Sequence, residues 1–222
     1  MRLRIRESLL YGLLRLLKRL DWRNTSAAAF DPAQVRSILV ISSTALGDTV
    51  LSTAAMNAVR QRYPEAHIVA LIHRPYVNLF RNHPALDDVV TYRGGYRSFF
   101  GTLRILRWHK CDLALILHGN EPQATPLAYL SGARFIFKLP NTSRFHFLLA
   151  NAKPIRGWRD FSHGIDQRLA VAELAGASTR GMRMSLPSLP AHERLVADWL
   201  AGNNASAGLL IGLQTGASSH GR

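Results

Sequence analysis

The sequence is poor in cysteine, in acidic residues and in long apolar runs. A single cysteine, Cys111, leaves no internal disulfide possible and fits a reducing compartment. No stretch reaches the roughly 18 apolar residues that a membrane span needs. The run Leu9-Leu10-Tyr11-Gly12-Leu13-Leu14, with Ala27-Ala28-Ala29 after it, has the outline of an export signal. Arg15, Lys18 and Arg19 interrupt it, whereas a secretory core is free of charge, so a cytoplasmic location is expected. The dinucleotide fingerprint G-x-G-x-x-G and the P-loop G-x-x-x-x-G-K-[ST] are both missing, which counts against NAD binding and NTP hydrolysis. His73, His83 and the other histidines show no metal-ligand spacing, so neither a metal nor a cofactor is expected.

What is abundant is positive charge. Lys and Arg number 28 against 14 Asp and Glu, for a net charge of +14. Such a field attracts polyanions: nucleic acid, anionic lipid head groups or phosphorylated sugars. RNP-type aromatics, zinc-finger spacing and a clear helix-turn-helix are all absent, which argues against nucleic acid. A hydrophobic content of 47% with 19% charged residues is ordinary for a folded protein.

Four segments follow from the pattern. Residues 1–24 form a basic amphipathic helix. Leu10, Leu13, Leu14, Leu17 and Leu20 share one face, and Arg4, Arg15, Lys18 and Arg19 lie opposite. Two readings stand: residues 1–20 lie on an anionic membrane surface, or the helix packs on the protein with its basic face solvated. Residues 25–36 read as a linker. Residues 37–186 alternate strands and helices, as in a Rossmann-like α/β domain with a parallel sheet. The continuous apolar runs Ser37–Ile41, His67–Ile72 and Asp112–Leu117 suit strands buried on both faces. Asp88–Tyr92 and Arg134–Phe137 are shorter strands, and 48–62, 99–109 and 163–176 are helices. Residues 187–222 hold a helix at 191–202 and a strand at 208–213. The strand leads into Gln214-Thr215-Gly216-Ala217-Ser218-Ser219, the opening of a further βα unit, and the chain reads as cut off there.

The turn after the first strand, Ser42 to Thr49, carries the sharpest chemistry. Ligands of open α/β sheets sit beyond the carboxyl ends of the strands. Gly47 allows close approach to the backbone. Asp48, in the first helical turn, could accept a proton from a sugar hydroxyl, although Asp is also a common helix cap.

These residues carry a resemblance. Ile38-Leu39-Val40-Ile41, then Ala45-Leu46-Gly47-Asp48-Thr49-Val50-Leu51-Ser52-Thr53, resembles the opening motif of glycosyltransferase family 9, which includes the lipopolysaccharide heptosyltransferases. Ala58 to Ile68, Cys111 to Asn120, Leu130 to Arg134 and Ile211 to Ser218 resemble later segments of that family in the same order. The resemblance covers about residues 37–222; the basic N-terminal helix lies outside it. It implies a GT-B fold, with an acceptor-binding Rossmann-like domain and a truncated second one that binds the donor. It also implies inverting transfer of a heptose from ADP-heptose to the lipopolysaccharide inner core, with Asp48 as general base. Expected acceptor contacts are Gly47, Arg74, Arg93, Arg97, His118 and Asn120. Expected donor-phosphate contacts are Thr215, Gly216, Ala217, Ser218, Ser219 and Arg222. The partners implied are a nucleotide sugar, the lipopolysaccharide core and, through residues 1–20, the inner face of the cytoplasmic membrane. With most of the donor domain missing, the fragment by itself is expected to be inactive. A non-catalytic basic module that binds nucleic acid or anionic surfaces is the alternative.

Overall fold

A computed structural model describes residues 2–119, 123–203, 209 and 211–213, with side chains from residue 7 onward. Helix α1 (Arg2–Leu20) precedes β1 (Ser37–Ser42), α2 (Leu46–Arg62), β2 (His67–His73), α3 (Val77–Phe80) and β3 (Asp88–Tyr92). Then come α4 (Phe99–His109), β4 (Leu113–His118), α5 (Ala124–Leu130), β5 (Phe135–Lys138), α6 (Gly164–Leu174) and α7 (Pro190–Gly202). The chain divides into two compact units, residues 1–187 and 188–222.

The first unit is built on a five-stranded sheet in the order β3-β2-β1-β4-β5, with every pairing parallel. Side chains along each strand alternate between the two faces. Ile38 and Val40 of β1 join Ile68, Ala70, Leu113 and Leu115 on one face, where Ala55, Met56 and Val59 of α2 and Val171 and Ala172 of α6 cover them. Leu39 and Ile41 join Val69, Leu71, Ala114 and Ile116 on the other, beneath Leu103 and Leu106 of α4 and Leu127 and Ala128 of α5. Both faces are covered, which is why the strands read as unbroken apolar runs. Alanines 54, 55 and 58 bring α2 close to the sheet, and all three are buried.

The N-terminal helix packs on the second face. Leu14 is fully buried, and Leu10, Tyr11 and Leu17 lean on the same cluster. A second leucine row, Leu9, Leu13, Leu16 and Leu20, is exposed. Its spacing of four, three and four residues makes one continuous stripe. The face expected from the sequence is therefore split: Leu13 and Leu20 do not pack with Leu10, Leu14 and Leu17. At 100° per residue, leucines this frequent span too wide an arc for one contact. Asp21 pins the helix end by pairing with Arg23 at 2.8 Å and accepting from the Tyr129 hydroxyl at 3.2 Å. No helix among the described residues is long and apolar enough to cross a membrane.

The second unit holds α7, opened by Pro190 in its first turn. No strand forms at Leu209 or at Ile211–Leu213, and all four residues are exposed. A parallel strand needs a neighbour to satisfy its backbone groups, and these residues pair with no strand among the described residues.

Candidate active site

The sheet order reverses between β1 and β4, since consecutive connections run outward from β1 in one direction and then in the other. The crevice at such a switch point is where open α/β sheets bind ligands. Asp48 follows β1 into this crevice, and His118 ends β4 beside it.

Asp48 is not the helix cap. That position falls to Ala45, which offers no side-chain acceptor. The Asp48 side chain is 32% exposed. Its Oδ1 accepts from Arg168 Nη2 at 2.9 Å, and its Oδ2 accepts from Thr44 Oγ1 at 3.3 Å. His118 Nδ1 lies 3.7 Å from the same Oδ2, and Thr44 Oγ1 also contacts that nitrogen. If the Thr44 hydroxyl donates to Asp48, its oxygen must accept from His118 Nδ1–H. The lone pair of His118 is then on Nε2. Burial pushes the His118 pKa below its ordinary 6.5, against the pull of Asp48. The imidazole is therefore neutral at pH 7.

Arg168 is 1% exposed on its side chain. Besides Asp48 Oδ1, its guanidinium donates to the Asp48 carbonyl, Ser52 Oγ, the Gly164 carbonyl and Gln167 Oε1. Burial lowers its pKa and the Asp48 carboxylate raises it, but a guanidinium stays charged at any working pH. A buried arginine needs such partners. Sequence reading did not single out Arg168. The available signal was one Arg directly before the apolar run 169–172, too common a pattern to mark a site.

Beside this cluster lies a cavity of about 360 Å³, lined by Thr44, Ala45, His73, Tyr76, Tyr92 and Gly95 among others, within the usual size range of ligand pockets. Gly94 and Gly95 turn its wall after β3 at φ of +74° and +68°, a conformation costly for any residue with a Cβ. A Cβ built on Gly47 meets nothing within 4 Å, so the backbone there faces open space. Arg74 follows β2 and is exposed, as are Arg93 and Arg97. Arg93 lines a different groove, of about 680 Å³, between β3 and α4. The structure thus brings Asp48 and His118 together with Gly47 adjacent, and sets Arg93 apart. Asn120 and the expected donor-phosphate residues Thr215, Gly216, Ala217, Ser218, Ser219 and Arg222 lie outside the described residues.

The fold is shared with known glycosyltransferases. A family 9 glycosyltransferase from Veillonella parvula superimposes with a TM-score of 0.61 at 21% identity, over 78% of this chain and 50% of that one. The Escherichia coli ADP-heptose lipopolysaccharide heptosyltransferase II gives 0.60 at 16% identity, over 74% and 50%. An E. coli heptosyltransferase in complex with ADP gives 0.54 at 14% identity, over 67% and 50%. The chain therefore spans about half the length of the structures it matches. No protein-family profile and no curated protein matches the sequence.

Proposed function

We propose that this chain is the acceptor-side half of a family 9 glycosyltransferase of the heptosyltransferase type, with Asp48 as its general base. One observation carries the reading. The carboxylate stands at the switch-point crevice with one oxygen tied to a buried arginine and the other turned toward Thr44 and His118. The shared half-length fold supports it. In the reaction proposed, an acceptor hydroxyl attacks the anomeric carbon of a nucleotide-activated heptose. The new C–O bond forms as the bond to the diphosphate breaks, inverting the configuration. The hydroxyl proton passes to Asp48 Oδ2, and the electron pair leaves on the nucleoside diphosphate. Arg168 holds the base in place, and the His118 Nε2 lone pair can accept from a neighbouring acceptor hydroxyl. The donor, ADP-heptose, is assigned to the second domain, with Thr215 to Ser219 and Arg222 on its phosphates.

The acceptor proposed is the phosphorylated inner core of lipopolysaccharide, presented at a membrane. The exposed row Leu9, Leu13, Leu16 and Leu20, together with Trp22 at 95% exposure and Phe100 at 78%, supports docking on an anionic leaflet. A tryptophan beside an apolar stripe suits the headgroup boundary.

Acceptor binding by this chain tests the reading directly. Phosphorylated inner-core oligosaccharide titrated into the chain should perturb amide NMR signals at Thr44, Asp48 and His118. Absence of binding, or binding that leaves these signals unmoved, overturns it.

A further inference from the structure

Three residues with metal-binding side chains meet at the end of the sheet opposite Asp48. His67 opens β2, Asp88 opens β3 and His109 closes α4. Each offers one ligand atom, and these atoms all lie within 4.8 Å of one another. His67 is held between two carboxylates: its Nε2 is 3.7 Å from Asp88 Oδ2 and its Nδ1 is 4.0 Å from Asp87 Oδ2. Asp87 is itself anchored, accepting from the Ile68 N–H at 2.7 Å and pairing with Arg60. A carboxylate facing one imidazole nitrogen commonly orients the other toward a metal. The His109 ring stacks on that of His67, with centroids 5.9 Å apart and planes 19° apart. Its Nδ1 is buried and has no hydrogen-bond partner among the described residues. Orphaned buried nitrogens are rare in folded proteins, and coordination at that atom would give it a partner.

We propose that His67, Asp88 and His109 form a binding site for a divalent first-row transition-metal ion, zinc by preference. Two imidazoles and one carboxylate are the donor set of zinc and its neighbours rather than of magnesium or calcium. Bonds of about 2.0–2.2 Å place tetrahedral ligand atoms about 3.3–3.5 Å apart, so the side chains close by about 1 Å around the ion. Three protein ligands leave a fourth position for water. The three residues come from β2, β3 and α4, and among the described residues β3 is an edge strand with a neighbour on one side only. The ion therefore clips the sheet edge to the helix that leads away from it. The site is independent of sugar transfer and stands or falls apart from it.

The test uses the untagged chain, titrated with Co²⁺ and followed by visible absorption, and loaded with Zn²⁺ and analysed for metal after gel filtration. One ion per chain should bind, with tetrahedral Co²⁺ bands and a higher melting temperature. His67→Gln, Asp88→Asn and His109→Gln should each abolish stoichiometric binding, while His192→Gln keeps it. Asp87→Asn should weaken affinity about 10- to 100-fold, as loss of an orienting partner does. A wild-type chain that retains neither ion overturns the proposal whatever the variants do. So does full binding in all three ligand variants, which would place the ion on other histidines.

Discussion

Arg168 places its Nη2 2.9 Å from Oδ1 of Asp48, across 120 residues of sequence. The arginine is buried and the aspartate is partly open to the crevice. Replacing the aspartate therefore acts on two properties at once, and the choice of substitution separates them.

Asp48→Asn keeps an oxygen for Arg168 and removes the proposed base. Its melting temperature should stay near wild type. In an enzyme completed by a donor-binding half, as the proposed function requires, transfer should fall about 10²- to 10⁴-fold, the usual contribution of a general base. Asp48→Ala strands a buried guanidinium donor and should in addition destabilise the fold by about 1–3 kcal/mol. Chemical denaturation of the two variants side by side checks this; equal stability would show that the pair does little for the fold.

Gly164 controls the same arginine sterically. A Cβ at this position would come within 2.9 Å of Arg168 Nη1. Glycine to alanine in a helix ordinarily stabilises by about 0.5–1 kcal/mol. Here Gly164→Ala should instead displace the guanidinium from Asp48, lowering transfer and leaving the melting temperature unchanged or reduced. A clear rise in melting temperature with full activity would contradict this.

Protonation of His83 should weaken the fold. The ring is 1% exposed. Its Nδ1 accepts from the Ala85 N–H at 3.2 Å, and its Nε2 faces Ser185 Oγ at 3.3 Å. Burial holds its pKa below 6.5. In the unfolded chain His83 takes a proton near pH 6.5, whereas in the folded chain it resists until lower pH. The unfolded state thus binds more protons over that interval, and stability falls as pH drops below about 6.5. Urea denaturation between pH 8 and pH 5 should show the loss, with a shallower slope in His83→Gln. An unchanged slope would remove His83 as a contributor.

The outward leucine row of α1 should bind anionic vesicles. Sedimentation with phosphatidylglycerol-containing liposomes should exceed that with pure phosphatidylcholine. Leu13→Glu combined with Leu16→Glu should abolish it without lowering the melting temperature, because both side chains are exposed. Binding that survives the double variant would leave the attraction to basic charge alone.

The strands were legible because burial on both faces writes them as unbroken apolar runs. The place of Asp48 at the crevice was legible because a carboxylate after a Gly in the first βα turn falls where open α/β sheets bind ligands. Arg168 was hidden because its meaning depends on a partner that only the tertiary fold supplies. The same holds for His67, Asp88 and His109, which stand in the sequence without any recognisable ligand spacing and meet only when β2, β3 and α4 align at one edge. Helix α5 was missed for a local reason. It is short and carries Pro126 at its third position, where the missing N–H breaks no helical bond because the first four have no partner.

The link between Asp48 and Arg168 also sets an order in time. During translation the carboxylate emerges from the ribosome long before α6 does. A nascent chain can assemble β1, α2 and β2 while the aspartate still lacks its counter-ion. The pair forms only when residues 164–168 have followed and docked. A break in the chain between β4 and α6 would leave Asp48 and His118 on one piece and the buried partner Arg168 on the other.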